Sequence, residues 1–156
     1  MNIGEIISLN RVQIQQDINS KKRALEEISR LLAAGAPELS GDDILASLSS
    51  REKLGSTGLG GGVAIPHGRM RGLENSVGAF LRLGDAGVDY EASDGNRVNL
   101  LFGLLVPQDC NEEHLKVLAL LAEMFLDESF CAKVRDASDP KLLHELLVNY
   151  TPATAA

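Results

Sequence analysis

Three histidines, His67, His114 and His144, are the residues of this chain best suited to chemistry at neutral pH, because the ordinary pKa of an imidazole lets it act there as a nucleophile or a proton carrier. His67 ends the run Gly58-Leu59-Gly60-Gly61-Gly62-Val63-Ala64-Ile65-Pro66-His67-Gly68, in which a glycine-dense loop passes into a short apolar strand and then presents the ring. Seven of the fifteen glycines lie between Gly55 and Gly72, a clustering that suits left-handed turns or the close approach of another molecule. Pro66 fixes its own φ and holds Ile65 extended, which stiffens the approach to His67. A neutral imidazole can accept a phosphoryl group without a separate strong base, and phosphoryl transfer asks mainly for positioning and charge stabilisation. Arg51 is the candidate for that stabilisation, with the hydroxyls of Ser56 and Thr57 close by in sequence. From the local sequence alone, a solvated loop histidine is an equally good account of His67.

His114 falls in the first turn of a helical pattern, and Leu118, Leu121 and Phe125 follow it at spacings of 4, 7 and 11, so it lies on the inward stripe. A core histidine bonded to backbone is the commoner meaning of such a position. A helix N-terminus, however, favours phosphate and lowers the pKa of an imidazole, which makes His114 a second candidate site residue. His144, between Leu143 and Glu145, has no such setting and is expected to be structural. The glycine loop lacks the Gly-Lys-Ser/Thr ending of a nucleotide P-loop, and Gly58-x-Gly60-x-x-Val63 departs from the dinucleotide fingerprint and enters a strand rather than a helix, so no nucleotide cofactor is expected. Two imidazoles without a third ligand at a recognisable spacing make an incomplete zinc shell, and no metal is expected either. Cys110 and Cys131 are too few for a disulfide framework and are expected to be free thiols.

The elements that must position these residues follow from periodicity. Apolar patches around Ile6, Ile7, Leu9, Val12 and Ile14 suit a short helix and a first strand. Ser20 caps a helix expected to run to Ala34, with Leu25, Ile28, Leu31 and Leu32 inward and Gly35 and Pro37 ending it. A second helix is expected over 41–50. Strands are expected at Val63–Ile65, Val77–Leu83, Val88–Tyr90 and Val98–Val106, with Gly84-Asp85-Ala86-Gly87 as a turn and the last strand buried on both faces. Asn111 would cap a helix running to about Asp127, Asp139-Pro140 starts a final one, and 151–156 form a frayed tail. The outcome is an α/β fold, a central sheet flanked by helices on both faces, in one domain over residues 1–156. A formal charge of −7 with scattered basic residues argues against nucleic acid as a partner. No apolar run is long enough for membrane insertion and no secretory signal stands at the N-terminus, which leads to an expected cytoplasmic location.

Several motifs together resemble one family: Arg51-Glu52-Lys53-Leu54-Gly55-Ser56-Thr57-Gly58, Ala64-Ile65-Pro66-His67-Gly68, Leu104-Leu105-Val106-Pro107 followed by His114-Leu115, and Ser20-Lys21-Lys22-Arg23-Ala24-Leu25-Glu26. The chain resembles the IIA components of the bacterial phosphoenolpyruvate phosphotransferase system, of the mannitol/fructose class and within it the nitrogen-regulatory branch. The resemblance implies a mixed sheet flanked by helices. It implies that His67 accepts phosphoryl from an HPr-type phosphocarrier, that His114 helps hold the phosphoryl group, and that Arg51 stands beside the site. It also implies regulatory protein targets, such as potassium-transport proteins and sensor kinases, governed by phosphorylation state. Relatives of that family often carry Asn where Gly61 stands, a departure that could loosen the loop or remove a hydrogen bond. A sugar-specific IIA passing phosphoryl to a separate IIB protein, and a binding module with structural histidines only, are the alternatives.

Overall fold

The computed structural model describes residues 2–109 and 112–151, apart from the side chains of Glu113 and His114. Asn2 caps a first short helix, α1 (Ile3–Ile6), and a 3-10 turn at Leu9–Arg11 leads into strand β1 (Val12–Gln15). The Ser20 hydroxyl accepts the Arg23 N–H at 3.1 Å and opens α2 (Lys21–Ala34), as its position predicts. Ser40 does the same for Asp43 at the start of α3 (Gly41–Lys53). This helix runs three residues beyond its expected end, because Arg51 and Lys53 in its last turn favour the dipole and the chain turns only at Gly55.

Three short strands follow: β2 (Gly58–Gly60), β3 (Val63–Ala64) and β4 (His67–Met70). They are succeeded by β5 (Val77–Leu83) and the long central β6 (Leu100–Pro107). The sheet runs β1-β5-β6-β3-β2, mixed in direction, with β4 also on β6. Both β3 and β4 run parallel to β6, so they form one strand broken at Ile65-Pro66, and the Pro66 carbonyl still accepts the Leu104 N–H at 3.0 Å. His67 therefore stands in the sheet, opposite Leu104, and not in a loop after it. The expected strand at Val88–Tyr90 is reduced to one bridge, Val88 with Val98. Asp89 accepts the Glu91 N–H, and Glu91 takes a positive φ of 58°, which turns the chain out of the ladder. The turn at 84–87 forms as expected, closed by the Gly87 N–H on Gly84.

Helices α4 (Glu112–Leu126), α5 (Glu128–Asp136) and α6 (Pro140–Val148) complete the chain. Asp139 caps α6 ahead of Pro140, as the dipeptide predicts, whereas α5, capped by Asp127, is hidden in the sequence by its shortness. The expected cap at Asn111, the free thiol of Cys110 and the tail beyond Thr151 lie outside the described residues. Cys131 is a buried free thiol, its Sγ donating to the Phe125 carbonyl.

Alternation along β6 builds two apolar layers. Leu100, Phe102, Leu104 and Val106 face α1, α4, α5 and α6, while Leu101 and Leu105 face α2 and α3. The fold is thus the expected sheet covered by helices on both faces, with Phe80 stacked on Phe125 in the first layer at 5.9 Å between ring centroids. Among the described residues no helix is long and apolar enough to cross a membrane.

Candidate functional site

Among the described residues strand β4 pairs with β6 alone, leaving its other side an open sheet edge, and α3 and α4 approach that edge from the two faces. Between them lies a cavity of about 480 Å³, with Arg51 and Leu54 from α3, His67 and Arg69 from β4, and Leu115 and Leu118 from α4 among its walls. The close seating of α3 depends on Gly68. A Cβ there would come within 2.3 Å of the Ser47 hydroxyl and 3.2 Å of its Cβ, so a glycine lets this helix rest closely on the strand beside His67.

The half-buried imidazole is held by its own strand. His67 Nδ1 lies 2.8 Å from the Ile65 carbonyl oxygen. That oxygen can only accept, so the proton is on Nδ1 and the lone pair is on Nε2. Burial pushes the pKa of His67 below its ordinary 6.5, the positive charge of Arg51 acts in the same direction, and the Ile65 hydrogen bond and the charge of Glu52 act against them. The ring is therefore neutral and nucleophilic at neutral pH. Because the unfolded chain takes up the proton first, this ring lowers stability as the pH falls below 6.5, until the folded state protonates as well. Replacing Arg51 by Met is expected to move the His67 midpoint upward in an NMR titration of the ring, since one charge opposing protonation is gone. A midpoint that stayed or fell would contradict this electrostatic account.

Arg51 occupies the last turn of α3 and its Nη1 donates to the Gly55 carbonyl at 2.8 Å, which fastens the guanidinium over the loop and beside the cavity. Position 114 is in the first turn of α4, next to Leu115 and one turn before Leu118, both cavity residues; the His114 side chain lies outside the described residues. His144 is half-buried in α6 and does not line the cavity. Ser56 and Thr57 also stand apart from it: Ser56 accepts the Gly58 N–H and Thr57 is buried against Glu52. The hydroxyls that do reach the cavity are those of Ser47 and Ser50. Arg69 is a second cation there, exposed and two residues after His67 on the same strand. The spacing i, i+2 would have signalled it had β4 been recognised as a strand.

Glu52, adjacent to Arg51, points away from the cavity into a buried polar cluster. Its carboxylate accepts from the Thr57 N–H and hydroxyl and from the Tyr90 hydroxyl at 2.9 Å, and it pairs with Lys21 Nζ at 3.0 Å. Lys21 also lies over the Tyr90 ring, 4.3 Å from its centroid. Burial and the Glu52 charge push the Tyr90 pKa upward, so its hydroxyl stays a donor. Among the described residues no group of three or more His, Cys, Asp or Glu side chains could hold a metal ion.

A glycine loop that ends in a buried strand edge, with one neutral histidine between two helices, is a compact pattern to match against known proteins. Residues 5–150 match the model of the family described as phosphoenolpyruvate-dependent sugar phosphotransferase system, EIIA 2. The chain belongs to this EIIA 2 family. Its similarity to family members extends over nearly all of their length. It is 41% identical over 147 residues to the nitrogen regulatory protein of Pseudomonas aeruginosa, covering 94% of this chain and 95% of that one. It is 40% identical to the nitrogen regulatory protein of Bradyrhizobium diazoefficiens, with 100% of each chain covered. Among solved structures, the nitrogen regulatory protein IIA-Ntr of Neisseria meningitidis matches with a TM-score of 0.87 at 43% identity, over 93% of this chain and 98% of that one.

Within this EIIA 2 chain the departure at Gly61 has a local explanation. Gly61 has a φ of +65°, its N–H donates to Asp94 at 3.0 Å, and its carbonyl accepts from Arg135 Nη2 at 2.7 Å. Both backbone groups are tied, so the loop is not loosened. A Cβ at this position would meet nothing within 4 Å, and Asn tolerates the left-handed region better than other residues with a side chain. Gly61→Asn is therefore expected to cost no more than about 1 kcal/mol in denaturant unfolding, less than other side chains would at this left-handed position. A larger loss would mean that the loop geometry demands glycine.

Proposed function

We propose that this chain is a regulatory IIA protein of the nitrogen branch, one EIIA type-2 domain over residues 1–156, acting in the cytoplasm, in which His67 takes phosphoryl from an HPr-type phosphocarrier. The observation that carries the proposal is the Nδ1–H bond to Ile65, which leaves Nε2 as the free nitrogen of a ring lining the cavity. In the transfer, the Nε2 lone pair attacks phosphorus and the bond from phosphorus to the carrier's nitrogen breaks, with that nitrogen keeping the electron pair. Positive charge builds in the His67 ring as the new bond forms. The Ile65 carbonyl, holding the Nδ1 proton, offsets it. Arg51 supplies a fixed positive charge toward the phosphoryl oxygens, and the start of α4, where His114 stands, supplies a helix N-terminus favourable to anions. Leu54, 84% exposed, and Leu115, 49% exposed, give the rim apolar contacts for a protein partner.

The relatives' names, nitrogen regulatory protein, support a regulatory role. In the proposed role, phosphorylation state governs binding to target proteins, with potassium transporters and sensor kinases as the targets the family resemblance implies. Phosphohistidine adds negative charge to a chain already at −7, so the two states differ most in how they meet a charged target. The test is incubation with phosphoenolpyruvate, enzyme I and the carrier, read by intact mass. A gain of one phosphate is expected, and no gain with an active carrier would leave only the binding-module alternative. Fast onward transfer to a IIB protein would instead favour a sugar-specific enzyme.

A further inference from the structure

The geometry points to Glu52 as a positioning residue for His67, acting through a relay of three hydrogen-bonded groups that fixes which ring nitrogen carries the proton. The inference rests on the proposed role of His67 and concerns how its ring is held. Glu52 has a side chain only 6% exposed, yet its carboxylate is fully occupied, taking donors from Thr57, Tyr90 and Lys21. These come from three separate segments: the loop after α3, the turn after Val88, and the first residue of α2. Thr57, fixed by both its N–H and its hydroxyl, directs its own carbonyl at the Ile65 N–H at 3.1 Å. Ile65, fixed on that side, directs its carbonyl at His67 Nδ1 at 2.8 Å. The relay thus runs from Glu52 to Thr57 to Ile65 to the imidazole.

The Thr57–Ile65 bond continues the antiparallel β2–β3 pairing one residue beyond Gly58 and Ala64, and Ile65 lies past the last β3 pair with β6, so this rung is the one that reaches the break between β3 and β4. Residues 55–57 are also held by Arg51, which donates to the Gly55 carbonyl, and by the Tyr90 hydroxyl, 3.1 Å from that of Thr57, but only Glu52 takes both the N–H and the hydroxyl of Thr57. Gly55 is exposed with a φ of +149°, and a Cβ on it would meet nothing. Glu52 is the group that converts this loop into a rigid support. Without it Thr57 is less firmly placed, the Ile65 carbonyl can shift within the limits Pro66 sets, and the Nδ1–H form of His67 loses part of its advantage over the Nε2–H form, in which the nucleophilic nitrogen is blocked.

The experiment reads the ring directly, by 15N NMR of the histidine side chains in unphosphorylated protein with no carrier present. Wild type is expected to show His67 as the Nδ1–H tautomer, and Glu52→Ala to show a mixture of tautomers. Glu52→Gln keeps an acceptor oxygen for Thr57 and is expected to restore the wild-type pattern. In parallel, the rate of phosphoryl acceptance is expected to fall about tenfold in Glu52→Ala, the equivalent of one lost hydrogen bond, and to recover in Glu52→Gln. Should the alanine variant not fold, Glu52→Asp, which keeps the charge but draws the carboxylate back by one methylene, takes its place with the same expectation. A folded variant that retains the wild-type tautomer overturns the inference, as does a Glu52→Gln protein no better than Glu52→Ala. Failure of the wild type to accept phosphoryl would instead defeat the proposed function and leave the tautomer spectra to be judged separately.

Discussion

His67→Ala is expected to abolish phosphoryl acceptance, by more than about a thousandfold, since the nucleophile itself is removed and no water or neighbouring group can store the phosphoryl in its place. The fold should survive. The ring is half-buried, its recorded hydrogen bond reaches only two residues back, and the pairing of β4 with β6 uses backbone groups that the substitution leaves alone. Losing that bond costs about 1 kcal/mol. The measurement is intact mass after incubation with the carrier system, beside a circular-dichroism melt. Wild-type phosphorylation of a folded His67→Ala protein would place the acceptor elsewhere. His114 would then be the first residue to examine.

The second large effect is expected from a residue with no chemistry of its own. Gly68→Val places atoms where Ser47 of α3 now stands, with its hydroxyl 2.3 Å and its Cβ 3.2 Å from the new Cβ. A rotamer change can move the Ser47 hydroxyl, but the Ser47 Cβ is fixed to the helix and, at 3.2 Å, must give by a few tenths of an ångström, with the two methyls of valine adding to the crowding. We expect a destabilisation of about 1–3 kcal/mol, the usual cost of overpacking, seen as a lower denaturant midpoint. Lifting α3 from β4 also draws Arg51 away from His67, so the surviving folded protein should accept phosphoryl more slowly and titrate at a higher pH. A variant of normal stability and normal rate would mean that α3 is not seated as described.

Local chemistry made several elements legible before any coordinates. Ser20 and Asp139 announce their helices because a cap is a contact over three residues, and Val77–Leu83 and Leu100–Pro107 are readable because burial in a sheet leaves a long apolar record. His67 and Arg51 stood out by type and setting, and the structure brings both to one cavity. What stayed hidden depends on distant partners. Strand β4 contains Gly68 and Arg69 and no apolar alternation, and it is a strand only because β6 lies beside it. The bond from Lys21 to Glu52 joins two of the motifs that carried the family resemblance, but nothing in either motif tells that they meet. Thr57, near Arg51 in sequence, proved to face the buried carboxylate, and Ser56 to accept the Gly58 N–H, because the chain reverses at Gly55.

The two apolar layers on the faces of the sheet have a consequence for the cavity. Helix α3 packs with α2 in one layer and α4 with α5 in the other, so the cavity walls belong to bodies that share no core. Leu54 and Leu115, exposed on opposite walls of the cavity, therefore stand on helices whose buried faces pack into different layers. The cleft is the seam between the two halves of the core, and under the proposed function a phosphoryl group on His67 would sit between an α3 wall and an α4 wall that are packed separately.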